Sequence, residues 1–82
     1  MPLYLFDLVN GNGLTADTEG RDLPDDAAAR DEALKDIRSI LSEEVLRGHL
    51  DLDGRIEVRD RARALLFTVA FADAVLIERQ SA

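Results

Sequence analysis

The sequence has no cysteine, which excludes disulfides and thiolate metal sites and fits a reducing compartment. It has one histidine, His49, so the commonest proton-transfer side chain occurs once and with no partner suggested by spacing. No apolar stretch approaches the ~18 residues that a membrane-spanning helix needs. The start, Met1-Pro2-Leu3-Tyr4-Leu5-Phe6-Asp7, has no basic segment, and its apolar run stops at Asp7, unlike a secretory leader. There is no internal repeat, linker or low-complexity run. What remains is one expected domain over residues 1–82, with the cytoplasm as its expected location. A chain of this size buries only about 60–65% of the surface it exposes when unfolded, so its core is thin. Small domains without covalent staples often gain stability by oligomerising.

The formal charge is −7, from 17 acidic and 10 basic residues. It is unevenly spread. Residues 1–54 carry 13 acidic and 5 basic side chains, a net of −8, and residues 55–82 carry 4 and 5, a net of +1. An acidic chain repels phosphate and anionic lipid, so the monomer is expected to bind neither nucleic acid nor membrane. With 46% hydrophobic residues, the chain is not expected to be disordered.

Hydropathy predicts strands over about 3–9, 14–17, 55–59 and 64–71. Along the first, Tyr4, Phe6 and Leu8 share one face, and Leu3, Leu5, Asp7 and Val9 share the other. Asn10-Gly11-Asn12-Gly13 reads as a hairpin turn. A phosphate-cradling loop would need a helix directly behind it, where Leu14-Thr15-Ala16-Asp17 reads as strand. Leu23-Pro24-Asp25 opens a helix expected over about 26–47, with Asp25 as N-cap and Gly48 as the left-handed residue that ends it. Its apolar stripe is read as Ala27, Ala33, Leu34, Ile37, Leu41 and Val45, with Ile40 at the edge. Asp31 and Lys35 form an expected i,i+4 pair. In the last strand Leu65, Phe67, Val69 and Phe71 point one way, and Ala64, Leu66, Thr68 and Ala70 the other. Residues 73–79 read equally as a short strand or a helical turn. The expected fold is two-layer α+β, in the order β-β-α-β-β, with one long helix packed on an antiparallel sheet.

No catalytic or metal-binding residues are assigned, no cofactor is expected, and the protein is not expected to be an enzyme. His49 reads as a solvent-facing residue beyond the helix end. Ser39, Ser42 and Ser81 have no partner at a useful spacing. Asp51-x-Asp53-Gly54 has the opening of a calcium loop, but Arg55 follows the glycine and the later oxygen ligands are missing. Asp17, Glu19, Asp22, Asp25 and Asp26 cluster at the helix entrance, where capping and solvation account for most of them.

Two surface features point to contacts. Arg55, Arg59, Arg61 and Arg63 gather on the second hairpin as a basic patch, read either as a contact for acidic groups or as charge protecting an edge strand. Leu3, Leu5, Val9, Leu66 and Ala70 lie on the sheet face that one helix does not cover. A two-layer monomer is expected to leave them in water, and a large exposed apolar patch marks an interface. Either the C-terminal Val75-Leu76-Ile77 segment or a second copy is expected to cover that face, and of the two a homodimer built on it is the expectation.

Tyr4-x-Phe6-Asp7-Leu8, Asn10-Gly11, Asp17-x-Glu19-Gly20, Leu23-Pro24-Asp25, Ala28, Glu32-Ala33 and Gly54-Arg55-Ile56-Glu57-Val58-Arg59-Asp60 follow one pattern in order and spacing. Through them nearly the whole chain resembles a widespread family of small bacterial domains of unknown function. The resemblance implies the fold and no activity. That pattern leads one to expect a glycine near position 62 or 63, where this chain has Ala62 and Arg63. The first half is also similar in architecture to HicB-type antitoxin domains, which dimerise and cover a small basic toxin. This second resemblance implies a basic protein as an alternative partner.

Overall fold

The computed structural model describes residues 1–78. Residue 79, the end of the ambiguous segment, and Ser81 lie outside the described residues. The strands are β1 (Leu3–Asn10), β2 (Gly13–Thr15), β3 (Arg21–Asp22), β4 (Arg55–Arg59) and β5 (Leu65–Ala70). The helix α1 spans Asp26–Leu46 between β3 and β4, and a 3-10 turn, Phe71–Ala74, follows β5. The sheet is antiparallel in the order β2-β1-β4-β5. Its short β3 pairs with the other end of β1, so β2 and β3 lie in tandem along one side of that strand.

The expected α+β architecture is what the chain adopts. Asp25 caps α1 by accepting from the Ala28 N–H at 2.8 Å. Gly48, at φ 75°, ends the helix in the left-handed region that costs a glycine little. Alternation along β1 and β4 brings Tyr4, Phe6, Ile56 and Val58 to the helix side, with Val69 from β5 and Phe71 and Ala74 after it. Ala29, Ala33, Ile37 and Leu41 meet them from α1. Gly54 is required here: a Cβ would stand 2.6 Å from the ring of the buried Phe71.

Several details differ from the sequence reading. The buried alanine of the first helical turns is Ala29, and Ala27 is exposed. Three consecutive alanines carry no phase information, and an unbroken i,i+4 run from Ala29 selects the face. Val45 is exposed, because α1 contributes nothing to the core beyond Leu41. Lys35 reaches Glu32 at 3.9 Å rather than Asp31. The strand β3 was not expected, since two polar residues carry no alternation. Of residues 73–79, Asp73 and Ala74 complete the 3-10 turn and Val75 is extended.

The largest difference lies in β5. A bulge between Val58 and Arg59 makes Phe67 the partner of Val58 and Leu65 the partner of Arg59. Directly paired residues share a face, so Leu65 moves to the face opposite Phe67 and Val69 instead of joining them in the core.

Candidate functional site

The densest polar chemistry in the described residues lies on the sheet face away from α1. It begins with a gap. β2 pairs with Leu8–Asn10 and β3 with Leu3 and Tyr4, which leaves the middle of β1 without a strand on that side. The Asp17 side chain fills the gap. Its Oδ2 accepts from the Phe6 N–H at 3.0 Å, replacing a ladder bond. Its Oδ1 accepts from the N–H groups of Glu19 and Gly20, both at 3.1 Å, and fixes the loop between β2 and β3. Gly20 has φ 74°, and a Cβ there would meet the Tyr4 carbonyl oxygen at 2.8 Å.

The Asp17 N–H in turn donates to Asp7 Oδ1 at 2.9 Å. Asp7 is 1% exposed, a carboxylate buried on the outer face. Arg63 donates to both of its oxygens, through NH1 to Oδ1 at 3.2 Å and through NH2 to Oδ2. Arg59 Nε approaches Oδ2 to 3.2 Å, but at an angle that leaves its own N–H without a hydrogen bond. Arg59 also pairs with Glu57 at 2.9 Å, and Glu57 with Arg55 at 3.2 Å. Charges therefore alternate across β1 and β4.

Burial pushes the Asp7 carboxyl up. Arg63, the Asp17 N–H and Arg59 together outweigh that and hold it below the ordinary carboxylate range. Asp17 follows the same logic, with burial opposed by three backbone donors and by Arg21. Glu57 is held low first by Arg59 and then by Arg55. Each carboxylate is stabilised in its charged form by bonds it already makes within the chain.

The expected site residues fall into two groups. Arg55, Arg59 and Arg63 are bound to Glu57 and Asp7, so most of the basic patch is neutralised internally. Arg61 takes no part in the ion pairs among the described residues. Of the expected apolar face, Leu5 is not left in water. It is 6% exposed, and Gly20 and Arg63 lie beside it. Leu3, Val9 and Ala70 are half-buried, and Leu66 remains exposed. The pattern missed Asp7 because its partner Arg63 is 56 residues away in sequence.

The acidic residues at the helix entrance are also committed. Asp25 caps α1, and Asp26 accepts from the Tyr4 hydroxyl at 2.8 Å. Asp51 Oδ1 accepts from the Asp53 N–H at 2.9 Å, which makes Asp51-Leu52-Asp53 a side-chain-stabilised turn. His49 is exposed, 4.0 Å from Glu44. Arg21 joins β3 to α1 through Asp36 at 2.6 Å and Glu32 at 3.1 Å, and stacks over Phe6 at 4.6 Å from the ring centre.

A family model for a domain of unknown function, DUF6894, matches residues 3–72. The chain belongs to the DUF6894 family. No curated protein and no solved structure matches the chain. In this DUF6894 domain the residues that carry the sequence resemblance have structural duties. Asp7 and Asp17 tie β1 to the β2–β3 loop, Gly20 allows the close approach of Tyr4, Asp25 caps α1, and Gly54 admits Phe71. The turn where a glycine was expected holds Arg63 at φ 71°, the one non-glycine residue with positive φ among those described. A left-handed conformation is costly for a residue with a Cβ. In this DUF6894 chain the same Arg63 binds Asp7 and also donates to the Asp17 carbonyl at 3.3 Å, which compensates the strain. No helix among the described residues is long and apolar enough to cross a membrane.

Proposed function

We propose that this DUF6894 domain is a non-enzymatic interaction module that works as a homo-oligomer. The reading is carried by β5. It is an end strand of the sheet, its segment Leu65–Ala70 has no charged residue and no proline, and Leu65 and Leu66 are 51% and 42% exposed. An unprotected apolar edge is a template for association. The carboxylates and guanidiniums elsewhere support the non-enzymatic part, since Asp7, Asp17, Arg59 and Arg63 are engaged in holding the fold. The same commitment of Asp17, Asp25 and Asp26 gives self-association more support than the masking of a basic partner. A cytoplasmic location belongs to this proposal and is checked by cell fractionation.

Light scattering at micromolar concentration tests the oligomer, and a monomer there would overturn it. Leu66→Lys is the variant to compare. Leu5→Glu is unsuitable, because Leu5 is buried within one chain and its loss would unfold the monomer.

A further inference from the structure

We infer that two copies of this chain join antiparallel through the free edges of β5, about a two-fold axis at Thr68. The inference rests on the homo-oligomer reading and specifies its surface and register.

The direction of the backbone groups comes first. The Phe71 N–H donates to the Gly54 carbonyl at 2.9 Å. That bond continues the register in which Val69 faces Ile56 and Phe67 faces Val58. Backbone groups alternate along an antiparallel strand. Phe67, Val69 and Phe71 therefore turn theirs toward β4, and Thr68 and Ala70 turn theirs away, into the open edge. Among the described residues no strand pairs with that edge.

The chemistry of the edge then selects the occupant. Exposed edges in soluble proteins are blunted by lysine, proline, inward charge or a bulge. Leu65-Leu66-Phe67-Thr68-Val69-Ala70 has no charge and no proline, and its bulge is confined to the start of the strand, opposite Val58 and Arg59. The same segment, apolar and rich in β-formers, has the composition of a good added strand. Template and added strand are thus one sequence. Self-pairing about a two-fold is the arrangement in which a patch meets its own copy.

An axis at Thr68 overlaps Leu66–Ala70 of the two copies. Leu66 of one copy stands across from the small Ala70 of the other, and Phe67 across from Val69. Leu66 and Ala70 are the β5 members of the expected apolar face. On the helix side, a shallow groove beside the free edge is lined by Phe67, Ala27, Arg30 and Asp26. The two-fold brings two such grooves together beside the axis. Each is apolar at Phe67 and Ala27 and carries one Arg30 and one Asp26, so a second copy meets the groove with balanced charge.

The absence of native cysteine makes the test direct. Thr68→Cys places one thiol of each copy beside the axis, in a hydrogen-bonded pair whose Cα atoms lie ~5.5 Å apart. A short bifunctional thiol reagent is expected to join two copies of the full chain as a covalent dimer. Thr15→Cys, on the opposite edge strand β2, is expected to stay monomeric under reducing-agent-free gel analysis. Thr68→Pro removes an N–H that points outward, so the ladder to β4 keeps its bonds. That variant is expected to halve the mass in light scattering while its circular dichroism stays that of the parent. A monomeric parent would overturn the homo-oligomer reading and this seam with it. A dimeric parent whose Thr68→Cys variant does not cross-link, or whose mass is unmoved by Thr68→Pro, would overturn the seam alone.

Discussion

Removing the Asp17 carboxylate is expected to destabilise the domain strongly, and the structure gives the size. Asp17→Ala leaves the Phe6 N–H unpaired in the gap between β2 and β3. Phe6 is 7% exposed, so water does not readily replace the lost acceptor. A buried unsatisfied donor costs about 1–3 kcal/mol. The Glu19 N–H is in an exposed loop and rehydrates, and the Gly20 N–H is half-buried, so their bonds add about 0.5–1 kcal/mol each. The total is about 2–5 kcal/mol, against roughly 4–12 kcal/mol for a whole domain of this length. Asp17→Asn keeps one acceptor oxygen, which serves either Phe6 or the loop but not both, and is expected to cost about 1–2 kcal/mol. Urea unfolding is the assay: the midpoint falls in that order while the slope stays constant. Hydrogen exchange at the Phe6 amide adds a local reading, with protection lost in Asp17→Ala. An Asp17→Ala midpoint matching the parent to within about 0.5 kcal/mol would show that the carboxylate does not substitute for a ladder bond.

Three further outcomes are expected. Gly54→Ala forces a Cβ into the Phe71 ring and should cost about 1–3 kcal/mol in thermal unfolding, so a neutral result would contradict the close approach. The Tyr4 hydroxyl is pushed up to about 12, chiefly by its hydrogen bond to Asp26. Its contribution to stability is therefore full below its ordinary value of 10.0 and lost as pH rises toward about 12. Tyr4 is the only tyrosine and there is no tryptophan, so phenolate absorbance follows this group alone, and a normal titration would remove the assigned bond. Arg63→Gly restores a glycine to the left-handed position but frees Asp7 from its main partner. Carbon NMR should then show the Asp7 carboxyl titrating higher than in the parent, and an unmoved titration would mean that Arg63 does not hold it. In the parent the depressed Asp7, Asp17 and Glu57 contribute stability above the ordinary carboxylate range that is lost as pH falls through it.

The elements that were legible in the sequence are those whose signals are local. The cap at Asp25, the stop at Gly48 and the stripe at Ala33, Ile37 and Leu41 lie within one helix. The alternation of Ile56 and Val58 lies within one strand. What escaped depends on residues far apart or on signals that do not exist. The Ala27-Ala28-Ala29 run cannot state which alanine is buried. A bulge opposite Val58 and Arg59 reverses the facing of Leu65, and the run of apolar residues there continues unbroken. Asp7 stands in correct alternation with Leu5 and Val9, but only the folded chain brings Arg63 over it. Within the expected apolar face Asp7 is buried and Leu5 is covered by the chain itself, while Leu66 remains exposed.

The two ends of that face explain each other. A carboxylate in the centre of the sheet gains little net stability over an apolar residue of similar volume, because the charge must be taken out of water. It does restrict pairing. A one-residue slip of β4 against β1 would move the Arg59 guanidinium to the helix side and leave Asp7 buried without it. A slip of β5 would draw Arg63 off the carboxylate in the same way. The ionic row from Arg63 to Arg55 therefore pins β1, β4 and β5 in one register, and in doing so it closes the β1 side of the face with the chain's own side chains. At β5 the row stops, since Thr68 and Ala70 carry no charge to extend it. The outer face is thus sealed at its centre and open at one edge, and that edge is the one with backbone groups left for the pairing proposed above.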